Sequence, residues 1–271
     1  MMTPLTSLVP IALCADDYAQ SEGVDAAIGE LLHLKRLSAV SCFSTAPRWL
    51  SHAAPALREL PKGCADIGLH FNLTEGFGQA SPYRLPHLIL RSFVQALDPG
   101  WMTRMLHAQL DAFEQGWGDA PDFIDGHQHV HQLPVVRQVL LQVVKERYAG
   151  RPLWIRNTLP ADPRWGGKAR ILQWLGGAAL ERDLKRASRH SNSGFAGVYG
   201  FDRPDYDVCF AAWLQAAAPG MLIMCHPAAG LHGGDVIAAQ RLVEYRFLRS
   251  DAFVDMLDRA HVQLTQLSAM Q

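Results

Sequence analysis

The sequence is short of charge and of cysteine, and it has no long apolar run. Charged residues make up 19% of 271, and 25 Lys and Arg nearly cancel 26 Asp and Glu, leaving a formal net charge of -1. Such a chain has no overall field to gather nucleic acid or an anionic membrane, although a local basic patch remains open to it. No uninterrupted apolar stretch approaches the roughly 18 residues that span a bilayer. The start has neither a basic segment nor a long apolar one, so no export signal is expected. The five cysteines, Cys14, Cys42, Cys64, Cys209 and Cys225, are an odd number without C-x-x-C spacing, and four lie in apolar runs. That excludes a disulfide framework and a zinc-thiolate site as expectations and fits a reducing cytoplasm. Also lacking are a Gly-x-Ser-x-Gly elbow, a Gly-rich phosphate loop, an internal repeat and a Gly/Ser- or Pro-rich linker.

What is present is alternation. Hydrophobic residues reach 49%, enough for a sizeable core. Residues 8–14 read as a buried strand ending at Asp16 and Asp17. Residues 21–37 read as a helix with Val24, Ala27, Ile28, Leu31 and Leu32 on one face. Further strands are expected at 38–43, 65–70, 122–125, 153–156 and 221–225, and helices at about 47–60, 101–115, 134–147 and 252–261. Strand–helix–strand succession means a parallel sheet with crossover helices. The expected fold is therefore α/β, a distorted (β/α) barrel forming a single domain over 1–271, with its active site at the carboxyl ends of the strands. Residues 160–200 stand apart, glycine-rich and basic, and are read as an insertion or lid, with an ordinary solvated helix face as the plain alternative. Within them Trp165 is a candidate platform for substrate, whereas Trp174 with Ile171 and Leu175 reads as a buried helical stripe.

The densest chemical signal is Asp125-Gly-His127-Gln-His129-Val-His131. Extended, its three histidines point to one side; helical, His127 and His131 form an i, i+4 pair. Three histidines in five residues beside an aspartate are hard to explain as packing and point to a metal. Imidazole suits Zn, Fe, Co or Ni, and a carboxylate partner extends the choice to Mg and Mn. Asp16 and Asp17 are adjacent and alternate in direction, so one can ligate a cation while the other acts as general base. A helix cap is the structural alternative for the pair. His70 and His226 each end a strand and are expected to converge on the same pocket. The other seven histidines are read as structural or surface residues. Without a nucleophile motif, the remaining nucleophile is a metal-activated water.

Taken together, Ala15-Asp-Asp-Tyr18, Gly68-Leu-His-Phe-Asn-Leu-Thr74, the Asp125–His131 cluster and Cys225-His-Pro227 resemble the YdjC-like carbohydrate deacetylases. That family contains chitooligosaccharide deacetylase and the hopanoid-associated deacetylases. The family's Asn-Ala-Asp-Asp-Phe-Gly appears here with Cys14, Tyr18 and Ala19, and its Asp-Ser-His-His-His-Val-His with Gly126 and Gln128. The resemblance implies a distorted barrel that removes acetyl from an N-acetylated sugar, using one divalent cation, Mg or Zn. It implies Asp17, His70 and His127 as metal ligands and Asp16 as general base. It implies His226 as the group that stabilises the intermediate or protonates the leaving amine. Asp125, His129 and His131 are expected to support the ligands, either histidine being an alternative ligand. Arg156, at a strand end, is expected to hold a substrate hydroxyl or carboxylate. The expected partner is the N-acetylated carbohydrate, with no nucleic acid and no membrane span; a homodimer is allowed. A metal-dependent phosphoesterase and a non-catalytic metal-containing sugar binder are the alternatives.

Overall fold

A computed structural model describes residues 7–61 and 63–270. Its spine is β1 (Val9–Tyr18), a run of apolar residues buried on both faces, the pattern of a central parallel strand. β1 pairs in parallel with β2 (Ala39–Cys42) and β7 (Met221–Cys225), and its first residues pair with β8 (Val262–Leu264). With β3 (Asp66–Phe71), β4 (Phe123–Gly126), β5 (Trp154–Ile155) and β6 (Gly194–Ala196), the sheet order is β5-β4-β3-β2-β1-β7-β6. The two ends meet at a parallel bridge between Pro160 and Phe195, where Phe195 N–H donates to Leu159 O at 2.8 Å. The sheet thus curls on itself and is closed by loop backbone instead of a full ladder, the distortion in the barrel.

Among the described residues, ten α-helices connect the strands. They are α1 (Glu22–His33), α2 (Ala54–Arg58), α3 (Leu85–Phe93), α4 (Pro99–Trp117), α5 (Val136–Arg147), α6 (Lys168–Leu172), α7 (Ala178–Arg186), α8 (Tyr206–Leu214), α9 (Ala238–Leu248) and α10 (Asp251–Arg259). α1 starts where Ser21 Oγ accepts the Val24 N–H at 3.3 Å, a side-chain cap for an otherwise orphaned donor. Strand residues alternate between two cores. Ile11, Leu13 and Ala15 face the helices, while Ala12 and Cys14 face the barrel interior with Phe123, Trp154, Phe195, Leu222 and Met224. Phe123 and Trp154 stack there with ring centroids 4.1 Å apart. Gly68 makes that layer possible, because a Cβ at this position would lie 2.4 Å from the Phe123 ring.

Two expectations change. β1 does not end at the aspartates but runs through them to Tyr18. Residues 160–200 are not wholly an insertion, since β6 lies inside that range and belongs to the sheet. α6 and α7 then occupy the place of the crossover between neighbouring β5 and β6.

Candidate active site

The inward parity that fills the barrel with apolar side chains lower down brings polar ones to its upper rim. Asp16 on β1, Ser41 on β2, His70 on β3, Asp125 on β4, Arg156 just past β5 and His226 just past β7 all belong to this layer. Asp17 would face the helices in a regular strand. Instead the β1–β2 register shifts between Ala15 and Tyr18, and Asp17 takes a left-handed φ of 69°. This bulge lets two consecutive carboxylates line one pocket, so Asp16 and Asp17 do not diverge as strand alternation predicts.

Asp17, His70 and His127 meet, their ligand atoms all within 4.8 Å of one another. Asp17 Oδ1 lies 3.3 Å from His70 Nε2 and 3.2 Å from His127 Nδ1, yet it is buried without a hydrogen bond. Donor separations near 3 Å are what ligands about 2.1 Å from a shared cation produce. His70 is oriented from behind: its Nδ1 is 2.6 Å from Asp125 Oδ1 and 2.8 Å from Ser41 Oγ, leaving Nε2 toward Asp17. Such a carboxylate–imidazole pair is the usual support of a metal-binding histidine. Burial alone would push His70 down, but Asp125, with Asp17 and Asp16, raises it to about 10. Asp16, Asp17, Asp125 and Asp235 face the guanidiniums of Arg156 and Arg241 and the His70 imidazole. The donor set, two imidazoles and a carboxylate oxygen without a hydrogen bond, fits a divalent cation.

The histidine cluster takes neither of the expected conformations. Gln128 and His129 are left-handed (φ 52° and 59°), so the turn 127–132 sends its rings three ways. His127 reaches Asp17. His131 is buried, with Nε2 3.0 Å from Arg156 O, and burial pushes it down to about 4. His129 lines the pocket edge-on to Phe195.

Arg156 is fully buried and cannot hold substrate as expected. It donates to both Asp16 oxygens at 2.6 Å and ion-pairs with Asp125 at 2.6 Å. Cys14, Asp16 and Asp125 form a second cluster of metal-capable groups, but this guanidinium fills it, with Cys14 Sγ 3.0 Å from Arg156. Burial acts to raise the Asp16 carboxyl, and Arg156 overrides it, holding Asp16 below the usual carboxylate range. His226 Nε2 stands 3.9 Å from Asp16 Oδ2, and burial pushes His226 down to about 4. Trp165 lines a separate cavity of about 270 Å³ with Trp213 and Tyr199. Trp174 is not a buried stripe but 72% exposed.

Two residues of α9 were not legible as site residues. Arg241 donates to Asp17 Oδ2 at 2.6 Å and to Asp235 Oδ2 at 2.6 Å. Glu244, pushed up to about 7 by burial, accepts the His226 N–H at 2.6 Å and the Tyr199 hydroxyl. The one available signal was an Arg and a Glu three apart where helical periodicity calls for apolar residues. The pocket lined by Asp16, Asp17, His70, His127, His226 and Arg241 measures about 860 Å³.

A family model described as YdjC-like protein matches residues 10–259. A carbohydrate deacetylase of Xenopus laevis is 28% identical over 177 residues, covering 56% of this chain and 56% of that protein. The chain thus spans little more than half the length of that relative. A chitooligosaccharide deacetylase of Salmonella typhimurium is 24% identical over 228 residues, 79% of each chain. Among solved structures, a protein provisionally described as a cellobiose-phosphate cleavage protein of Enterococcus faecalis superposes with a TM-score of 0.71 at 16% identity. That match covers 97% of this chain and 99% of the other, a likeness of fold.

Proposed function

The chain belongs to the YdjC-like family, and from that premise we propose that it removes the acetyl group from an N-acetylated sugar by metal-assisted amide hydrolysis. The observation that carries this reading is the convergence of Asp17, His70 and His127 beside the Asp16–His226 pair in one pocket. Asp17, His70 and His127 would hold the cation, and two imidazoles with one carboxylate suit zinc better than magnesium. When bound, it supplies polarisation of the amide carbonyl and a more acidic water.

The chain's own groups handle the proton. Arg156 keeps Asp16 ionised and fixes both of its oxygens, so Asp16 is ready to take a proton from the attacking water. Asp16 holds that proton weakly, and His226, neutral near pH 7, is the better place for it. From His226 the proton goes to the amine nitrogen as the C–N bond breaks, giving acetate and a free amino sugar. Glu244 anchors the backbone of His226 for this transfer.

The test is acetate release from a panel of N-acetylated glycans, using protein stripped of metal and then restored with zinc or magnesium. Metal-dependent acetate release supports the proposal. Phosphate release from matched phosphate esters, with no acetate, replaces it with the phosphoesterase reading.

A further inference from the structure

The two aspartates near the end of β1 are held alike. Asp16 binds Arg156, which also meets Asp125. Asp17 binds Arg241, which also meets Asp235. Each guanidinium is shared between one carboxylate of β1 and a second from elsewhere in the fold. Asp125 has a further task in orienting His70, but Asp235 touches none of the three cation ligands. Its setting is also unusual. It lies on the loop between β7 and α9, where residues 231–234 and 236 are exposed, yet its own side chain is only 6% exposed. Withdrawing a carboxylate from water is costly unless a partner answers it. Arg241 Nε is that partner, at 2.6 Å.

Arg241 is itself buried. Its other bonds run from Nη2 to Asp17 Oδ2 at 2.6 Å and to Gln20 Oε1 at 2.9 Å, and Nη1 has no partner among the described residues. Glu244, on the same helix, is turned to the His226 N–H and the Tyr199 hydroxyl instead. Apart from Asp17, the carboxylate that answers the Arg241 charge is therefore Asp235. That charge bears on the cation site, because Arg241 grips the carboxylate whose other oxygen faces His70 and His127. Charges a few ångströms apart and away from water interact strongly, so an unanswered guanidinium there would oppose a dication. We infer that Asp235 is a positioning residue for the cation site: it cancels the charge of Arg241, which can then fix one oxygen of Asp17 without repelling a cation held by the other. This role rests on the cation site of the deacetylase reading. The plain alternative is a turn residue, since Asp235 Oδ1 also accepts the Ile237 N–H at 3.0 Å on the way into α9. Asparagine fills that turn as well as aspartate does, but it brings no charge.

The experiment is titration of the full, metal-stripped chain with zinc in competition with a chromophoric chelator, without substrate. Only the equivalent of zinc that His127→Ala removes is counted. Asp235→Asn keeps the Ile237 contact, so its circular dichroism should match wild type while its zinc affinity falls at least about tenfold. Adding Arg241→Gln to Asp235→Asn takes away the unanswered cation and should recover most of that loss. Asp235→Asn binding zinc like wild type would overturn the inference by itself and leave Asp235 as a turn residue. A folded double variant that binds no more tightly than the single would also overturn it, since Arg241 would then act by shape and not by charge. Both results leave the cation site and the deacetylase reading standing. A wild type that lacks the counted equivalent would overturn the two together.

Discussion

Arg156 shows how burial changes a residue's role. Enclosed by Asp16, Asp125 and Cys14, it is the cation that lets two carboxylates share the barrel interior. Arg156→Met takes the guanidinium from Asp16 and leaves Asp125 with His70 and Ser41 alone, and should destabilise the fold by ~3–5 kcal/mol in urea denaturation. A stable variant with only a raised KM would return Arg156 to substrate binding. Asp16→Asn keeps the shape and one of the two acceptors for Arg156 but cannot take a proton; kcat should fall about a hundredfold or more while metal content, read by mass spectrometry, stays unchanged. His131 is shifted in the opposite direction from Glu244. Its value falls from the ordinary 6.5 to about 4 on folding, so between those pH values the unfolded chain binds more protons and stability rises with pH. His131→Asn should flatten the pH dependence of unfolding free energy over that window; an unchanged slope would mean that another group sets it.

At the scale of elements, the outlines of β2, β3, β4, β7, α1, α4, α5 and α10 were legible because each has a clear apolar period. β6 and β8 have three residues each, too few for any period to register. α8 is apolar on nearly every side, and α9 buries Gln240, Arg241 and Glu244 in its core face, so neither shows the stripe that reveals a surface helix. The bulge at Asp17 is invisible for another reason: no glycine marks it, and a non-glycine residue carries the left-handed φ. One glycine does have a readable job. Gly68→Ala puts a methyl group against Phe123, and should cost about 1–3 kcal/mol; in a Phe123→Leu background the cost should shrink, a coupling that a double-mutant cycle measures. Additive costs would mean that β3 shifts instead.

For the molecule as a whole, the barrel and its polar rim follow from one parity rule applied to every strand, which is why the candidate residues at strand ends could be named from sequence. The turn after β4 could not, since left-handed residues send His127, His129 and His131 in different directions. The central claim is that Asp17, His70 and His127 form a cation site on which acetate release depends. The most direct measurement is bound metal and acetate release, determined side by side on wild type and His127→Ala, with circular dichroism as the check on folding. One equivalent of cation in the wild type, with both metal and acetate release lost from a folded variant, is the predicted result. Undiminished acetate release by metal-stripped wild type, or a variant that keeps both its cation and its activity, would contradict it.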